Sequence, residues 1–372
     1  MLEVLDSGWL TTGPRVQLFE QRFAGTVGVR HAIALNSATA ALHLVLEALG
    51  VGPGDEVIVP TWTFAASAEV VVYRGARPVL VDVDARTFNA TPETILAAVT
   101  KRTRAVIAVH IAGRPVEIER LVMWLEPRGI AVVEDAAHAF PSRIGGTAGR
   151  YVGTFGRAGA FSFYATKTIT TGEGGMLVTD DDAVAERARI MSLHGISRDA
   201  WNRYASNGSW YYEIEDAGYK YNMTDIAAAL GLVQLERAED LLAARRKLAA
   251  AYAARLSNAP VSELLELPAE APDGSHAWHL YIIRLALERL KADRGQVIDG
   301  LKALGIGTSV HFMPLHLHPY YQRRWGYTAG DLPVATREYE RVVSLPIWPG
   351  MTTNDVDRVV GGLEEVLGSV RR

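Results

Sequence analysis

The chain has 372 residues, of which 49% are hydrophobic, and its 38 basic and 42 acidic residues give a formal net charge of −4. This balance gives little electrostatic support for a nucleic-acid partner, and no apolar run approaches the roughly 18 residues that span a membrane. The absence of cysteine excludes disulfides, thiolate metal sites and cysteine nucleophiles. The first ten residues lack the pattern of a secretory leader, so we expect a soluble, cytoplasmic enzyme of several domains with no membrane partner.

Strand and helix patterns alternate over about the first 190 residues. The predicted strands are short apolar runs at 56–60, 78–84, 104–110 and 130–138. The predicted helices before and between them cover 38–49, 62–73, 91–100 and 117–129. Strands that are apolar on both faces and separated by helices are typical of a parallel sheet with helices on both sides. The fold class is therefore predicted to be α/β, with right-handed crossovers.

The pattern changes in the second half of the chain. Two further strands are predicted, in GAFSFYATK and in GGMLVTDD. The later elements are a long Ala-rich helix at 224–256, a strand at 279–287, a helix at 292–305 and a strand at 307–313. We expect a large α/β domain at 1–240 and a smaller C-terminal α+β domain at 241–372.

Several polar residues follow predicted strands, where a parallel α/β sheet usually binds its ligand. Asp135 and His138 follow one strand, Ser162 lies at the end of another, and Lys167 comes five residues later. A lone lysine in this position is ordinarily a surface charge. The glycine-containing flanks of Lys167, YAT and ITTGEGG, hold Glu173 as their one charged residue and instead favour a buried backbone.

Five segments of the chain resemble those of nucleotide-sugar aminotransferases of the DegT/StrS type: FSFYATKTITTGEGGM, VVEDAAHA, NSATAAL, PTWTFAAS and YNMTDIAAALG. These are fold-type I enzymes that depend on pyridoxal phosphate (PLP). The resemblance extends from SGWLTTGP at 7–14 to PLHLHPYY at 314–321. One departure is that only six residues precede SGWLTTGP, fewer than we expect for the family.

A PLP enzyme needs a lysine amine for the Schiff base, an acid at the pyridine nitrogen and a phosphate cradle. The resemblance implies that Lys167 supplies the amine, and no other lysine lies between Lys101 and Lys220. Once free of the cofactor, such an amine can also move the proton during transamination. The resemblance assigns Asp135 to the pyridine nitrogen, and the alternative for Asp135 is a helix cap.

The phosphate cradle is predicted where Ser37, Ala38 and Thr39 open a helix, because unpaired N–H groups and the helix dipole favour an anion there. Simple helix capping by these residues is compatible with this role. The resemblance also places Ser162 on the phosphate. It further implies that Asn222 reaches the phosphate of the neighbouring subunit, so the protein would be a homodimer with shared active sites. Capping of the next helix is the alternative for Asn222.

The resemblance implies that Trp62 stacks on the pyridine face and that His138 bonds the phenolic oxygen of PLP. The alternatives are a core tryptophan and an ordinary hydrogen-bonded histidine.

The predicted substrate-binding residues are Thr12, Arg198, Tyr212, His311 and His316. Arginine in this region could meet a diphosphate, aromatic rings could cover the base or sugar, and imidazoles could bond sugar hydroxyls. No metal is expected, since His311, His316 and His318 match no usual ligand spacing.

The predicted reaction is transfer of an amino group from glutamate to a nucleotide-linked keto sugar, at C4 of a dTDP-4-keto-6-deoxyhexose. The alternatives are amination at C3, a related PLP-dependent dehydratase, which carries histidine in place of Lys167, and a PLP-binding regulatory protein. A dehydrogenase is disfavoured, because Gly153, Gly156 and Gly159 lack the spacing of a dinucleotide loop.

Overall fold

The computed structural model describes residues 1–196, 212–269, 271 and 274–372. Its strands are β1 (His31–Leu35), β2 (Glu56–Pro60), β3 (Arg77–Val81), β4 (Thr103–Val109), β5 (Ala131–Asp135), β6 (Arg143–Ile144), β7 (Arg150–Tyr151), β8 (Ala158–Ser162), β9 (Gly175–Thr179), β10 (Leu265–Glu266), β11 (Tyr281–Leu285) and β12 (Val342–Leu345). Its helices are α1 (Leu2–Ser7), α2 (Pro14–Val27), α3 (Ala38–Ala48), α4 (Ala66–Tyr73), α5 (Pro92–Ala97), α6 (Ile118–Leu125), α7 (Asp182–Ser192), α8 (Asp225–Glu236), α9 (Ala238–Asn258), α10 (Arg294–Ala303), α11 (Pro319–Trp325), α12 (Pro333–Arg341) and α13 (Thr353–Ser369).

A seven-stranded sheet in the order β1-β9-β8-β5-β4-β2-β3 forms the centre of the larger unit. Only β9 runs against its neighbours, so the sheet is mostly parallel and the predicted α/β class is confirmed. Alternate residues of a strand face opposite sides. Ile33 of β1 accordingly joins a core with α3, α4 and α7, while Ala34 joins another core with α2 and α8.

Side chains fix where many of the helices begin. The caps are Ser37 on α3, Thr91 on α5, Asp181 on α7, Thr224 on α8, Asp293 on α10 and Thr352 on α13. Each cap accepts a hydrogen bond from an N–H group that the helix itself leaves unpaired, which stabilises the helix by about 1 kcal/mol.

A second unit is built on the antiparallel sheet β10-β11-β12, whose apolar side chains share a core with α9, α10 and α13. This unit matches the expected smaller α+β part of the fold. The predicted helix at 224–256 is in fact two helices, α8 and α9, separated at Arg237. The domain boundary near residue 240 stays a prediction, and the break lies close to it.

Two other element predictions need correction. The segment at 307–313 is not a strand, because it pairs with β12 only through a bridge between Ser309 and Ser344. The helix expected from Trp62 begins at Ala66, since the preceding loop turns to place Thr61 and Trp62 against the second unit.

The two units meet at the carboxyl ends of β2, β4 and β5. Leu315 N donates to Thr61 O at 2.8 Å, and His279 N donates to Ala112 O at 3.0 Å. Loops of the second unit thus cover the edge of the sheet at which a ligand of this fold class binds.

Candidate active site

The carboxylate of Asp135 lies at the end of β5 and is held by two donors. The Ser67 hydroxyl donates to Asp135 Oδ2 at 2.7 Å, and Ala137 N donates to Oδ1 at 3.2 Å. The oxygens of Ser67 and Thr63 are in turn 2.7 Å apart. The start of α4 therefore orients this carboxylate. The Asp135 side chain is buried.

Lys167 lies in a tight turn after β8, where its backbone N donates to Tyr164 O at 2.9 Å. Burial lowers the pKa of the Lys167 amine to about 8, the nearby Asp135 carboxylate opposes this shift, and the Arg245 guanidinium adds to it. The amine and the carboxylate are thus close enough for their charges to interact. A lysine with such a pKa holds a usable fraction of neutral, nucleophilic amine near neutral pH.

The N-terminus of α3 follows β1 at the same carboxyl-end edge of the sheet. Ser37 Oγ accepts from Ala40 N at 3.1 Å and so caps the helix. The first N–H groups of a helix, here those of Ala38 and Thr39, have no partner within the helix and favour a phosphate.

Gly175, at the start of β9, packs against this helix start. A Cβ atom at Gly175 would lie 2.3 Å from the carbonyl carbon of Ser37, so only glycine allows the approach. Gly175 pairs with Leu35 on one side and with Ser162 on the other. The predicted cradle residue Ser162 therefore lies one strand away from the start of α3.

His138 is held beside the site by one hydrogen bond and two ring contacts. His138 Nδ1 accepts from Ala112 N at 3.3 Å, and the ring packs against those of His279 at 4.3 Å and Phe312 at 6.0 Å between centroids. Burial holds the pKa of His138 well below its usual range, and the positive charge of Lys167 lowers it further. The ring is therefore neutral near pH 7.

Trp62 does not occupy the position that the sequence analysis gave it. Its side chain is fully buried, stacks on Phe88 and donates through Nε1 to His311 O at 2.9 Å, which contradicts the prediction that it covers a cofactor ring. Phe64, two residues later in the same motif, is 59% exposed and contacts Phe312 at 5.7 Å. Phe64 is the aromatic residue of this motif that is free to stack on a ligand.

Asn222 and Thr12 are brought together by hydrogen bonds. Asn222 Nδ2 donates to Thr12 Oγ1 at 2.8 Å, and Thr12 Oγ1 donates to Met223 O at 2.6 Å. The backbone of Asn222 also bridges to Leu35, just before α3. Both side chains line an open groove of about 940 Å³.

The two predicted substrate histidines differ in their surroundings. His316 is fully buried, with Nδ1 2.8 Å from Thr61 Oγ1 and Nε2 2.9 Å from Thr336 Oγ1. Both nitrogens of His316 thus serve the fold, which contradicts the prediction of a substrate contact. His311 Nδ1 lies 3.0 Å from Ser344 Oγ, and the ring is close enough to Lys167 for that charge to lower its pKa.

The remaining predicted substrate residues lie in or beside the segment at 197–211. Arg198 is outside the described residues, and Tyr212, at the edge of that segment, is exposed. In the described ranges, no three side chains of the types His, Cys, Asp and Glu are placed to hold a metal ion. No helix in those ranges has the length and apolar character needed to cross a membrane.

Gly153 and Gly156 bind a buried carboxylate and Gly159 lies within β8, so none of the three glycines opens a helix. Gly153 N and Gly156 N donate to the two oxygens of Glu134 at 2.8 and 2.7 Å. His110 Nε2 lies 3.0 Å from the same carboxylate. This pattern is structural and gives no support to a dinucleotide site.

Sequence reasoning missed four residues near the site: Phe64, Ser67, Arg245 and His279. Phe64 and Ser67 belong to the motif PTWTFAAS, so its second aromatic residue and its serine were available signals. Arg245 and His279 lie far apart in the chain, and no local pattern indicates that they meet.

The side chains present fit PLP: a low-pKa lysine, a carboxylate held by two donors, an anion site at the start of α3 and an exposed aromatic ring. Residues 1–364 match the model of the DegT/DnrJ/EryC1/StrS aminotransferase family. The chain belongs to this family. The family depends on PLP, and the protein is a PLP-dependent sugar aminotransferase.

Relatives and solved structures agree with this membership. The spore coat polysaccharide biosynthesis protein SpsC of Bacillus subtilis is 47% identical over 98% of this chain and 92% of its own. The putative sugar aminotransferase Spr1654 of Streptococcus pneumoniae, in its PMP form, has a TM-score of 0.91 at 34% identity, over 99% of this chain and 95% of its own. The aminotransferase TlmJ of Streptoalloteichus hindustanus has a TM-score of 0.88 at 34% identity, over 99% and 94%.

Proposed function

We propose that this aminotransferase moves an amino group from L-glutamate to C4 of a nucleotide-linked 4-keto-6-deoxyhexose, with dTDP as the nucleotide. The observation that carries the aminotransfer is the low-pKa amine of Lys167 beside the Asp135 carboxylate. A sugar substrate is supported by the family and by a relative named for spore coat polysaccharide biosynthesis. The C4 assignment is supported by the SGWLTTGP and HGISRDAWNRY stretches, which look most like C4-aminating members of the family.

Lys167 is the residue that attaches to the cofactor and moves the substrate proton. With a pKa of about 8, roughly one amine in ten is neutral at pH 7, and this form is both nucleophile and base. The Asp135 carboxylate keeps the opposite charge close by, so a proton on Lys167 is stabilised and remains exchangeable.

The other residues of the site would hold and orient the cofactor. Asp135, fixed by Ser67, would carry the hydrogen bond to the pyridine nitrogen, and neutral His138 would donate to the phenolic oxygen. The start of α3, with Ser162, would bind the phosphate. When bound, PLP supplies the electron sink for the carbanion that proton removal leaves.

We also propose that the enzyme is a homodimer in which Asn222 serves the site of the partner subunit. In support, Asn222 lies with Thr12 on an open groove, which a second chain could reach. Thr12 in that groove, together with Arg198, Tyr212 and His311, would then contact the nucleotide sugar.

The first experiment follows the visible absorption of the PLP-loaded protein during addition of glutamate. Glutamate should abolish the band of the lysine-attached cofactor, and Lys167→Ala should lack both that band and turnover. Lys101→Ala, at an exposed lysine, is the matched control and should behave like the wild type. Turnover by Lys167→Ala would refute its role, and a response to other amino acids alone would refute glutamate as donor.

The second experiment locates the new nitrogen. The enzyme, glutamate and dTDP-4-keto-6-deoxyglucose should give a 4-amino sugar by NMR. A 3-amino product from the 3-keto isomer, with the 4-keto sugar untouched, would overturn the C4 assignment and leave the aminotransfer standing.

The third experiment mixes Lys167→Ala with Asn222→Ala under conditions that exchange subunits. If the sites are shared, each mixed dimer has one site with both lesions and one intact site, so activity should exceed that of both parents. With exchange confirmed by mass, a mixture no more active than its parents would exclude the shared site.

A further inference from the structure

His279, on the loop before β11, packs against a residue of the candidate active site. Its ring centroid lies 4.3 Å from that of His138, and the two ring planes are 40° apart. His279 is buried, and its Nδ1 has no hydrogen-bond partner in the described part of the chain. An unpaired buried nitrogen is costly, and a phenylalanine would avoid the cost, so packing alone does not explain a histidine here.

The two rings are tied to the same backbone residue. Ala112 N donates to His138 Nδ1 at 3.3 Å, while Ala112 O accepts from His279 N at 3.0 Å. A neutral imidazole that accepts at Nδ1 carries its proton on Nε2. Charging His138 would put a second proton on Nδ1, facing the Ala112 N–H, and would break this anchor.

A buried arginine fixes the loop that carries His279. Arg245 Nη1, on α9, donates to Trp278 O at 3.0 Å, to His279 O at 3.2 Å and to Ile347 O at 3.0 Å. One guanidinium therefore joins α9, the His279 loop and the segment after β12. Because Arg245 is itself buried, the loop has little freedom to move away from His138.

We propose that His279 is a positioning residue for His138: its uncharged ring packs on His138, keeps that ring uncharged and anchored at Ala112, and leaves His138 Nε2–H as a donor to the bound cofactor. The choice of histidine follows from the ring chemistry. The electron-rich face of a phenylalanine would attract a charged His138, and imidazole is not among the rings known to attract cations most strongly.

The charges around His138 and His279 also favour the neutral form of both rings. Lys167, His311 and Arg245 are the cationic or titratable groups close to the two histidines, and Asp135 is the carboxylate that faces Lys167. Burial and these neighbours hold the pKa values of His138 and His279 well below the usual range. Both histidines are therefore expected to be neutral near pH 7. The role of His138 Nε2–H as a donor to the cofactor rests on the proposed function. The charge state of the His138 ring does not depend on that function.

The test measures the titration of His138 by NMR in the cofactor-free protein with labelled histidine, and His138→Asn identifies the signal. In the wild type His138 should stay neutral from pH 8 down to pH 5.5. In His279→Phe its titration midpoint should rise by about one pH unit or more, since a cation over a buried ring gains about that much. His276→Phe is the control: His276 is a buried histidine on the same loop that stacks on Trp278 instead, and its variant should leave the signal unmoved.

A second readout is the acid limb of kcat/KM, which should move to higher pH by the same amount in His279→Phe. An unchanged His138 titration in His279→Phe, with the folded state confirmed, would overturn the proposal and leave His279 as a packing residue. If no sugar nucleotide is aminated at all, the proposed function fails, while the titration still decides the role of His279.

Discussion

At the scale of single residues, the Asp135 carboxylate depends on the Ser67 hydroxyl for its orientation. Ser67→Ala should weaken PLP binding and lower kcat by about 10-fold or more, because hydrogen bonds to charged groups contribute about 1.5–3 kcal/mol. PLP titration and steady-state kinetics would measure both effects. Ser142→Ala is the control, since the Ser142 hydroxyl is buried without a partner in the described chain and its removal should cost little. Equal behaviour of the two variants would show that Ser67 does not orient the carboxylate.

Replacing each of the two aromatic residues of PTWTFAAS should have a different effect, one on stability and the other on PLP binding. Trp62→Ala should lower the free energy of unfolding by about 3–5 kcal/mol, as expected for truncation of a fully buried tryptophan. Phe64→Ala should leave that free energy nearly unchanged and instead weaken PLP binding, because Phe64 is exposed at the site. Denaturant unfolding of the cofactor-free protein and PLP titration measure the two effects. The reverse assignment would restore Trp62 as the stacking residue.

The residues of the site differ in how far their roles could be predicted from the sequence. The roles predicted for Lys167 and Asp135 came from the family resemblance, and the structure brings the two charges close enough to interact. Trp62 and Phe64 lie in a loop with no periodicity, so only the packing of the second unit decides which of them is buried. His316 was mistaken for a substrate contact because its threonine partners are 255 and 20 positions away in the chain.

At the scale of elements, the start of β9 packs directly against the start of α3. Gly175→Ala would place a Cβ 2.3 Å from Ser37 C, so the strand or the helix start must shift. We expect weaker binding of PLP and of inorganic phosphate, measured by calorimetry. Gly52→Ala, where a Cβ would meet nothing within 4 Å, is the control. Unchanged phosphate binding in Gly175→Ala would exclude the start of α3 as the anion site.

Local pattern predicted the central elements better than the peripheral ones. The strands β2, β4 and β5 are apolar on both faces and were found to within a residue or two at their starts, because burial on two sides leaves a continuous apolar run. The segment at 307–313 meets the open edge of β12 only at the bridge between Ser309 and Ser344. Its backbone then bonds to the loop after β2 instead, because His311 O accepts from Trp62 Nε1 and Leu315 N donates to Thr61 O. The break at Arg237 was also invisible, because helix-forming residues lie on both sides of it.

At the scale of the whole molecule, buried histidines make the stability depend on pH. Burial lowers the pKa of His43, His138, His276, His279, His311 and His316. Near pH 6 the unfolded chain binds protons at these positions and the folded chain does not. The stability that neutral histidines allow is therefore fully present above about pH 6.5 and is lost as the pH falls towards the folded-state values.

His43 allows this expectation to be tested away from the candidate active site. Burial lowers the pKa of His43 to about 4, with Arg74 adding to the shift and Glu47 opposing it. Between pH 6.5 and 4, His43→Phe should reduce the slope of the free energy of unfolding by about 1.4 kcal/mol per pH unit. Loss of the bond between His43 Nδ1 and the Tyr221 hydroxyl adds an offset that does not change with pH, so the slope is the readout. His31→Asn, at a half-buried histidine paired with Asp182, is the control for loss of a histidine near the surface. A slope in His43→Phe equal to that of the wild type, measured by urea unfolding of the cofactor-free protein, would show that His43 takes up protons equally in the folded and unfolded states.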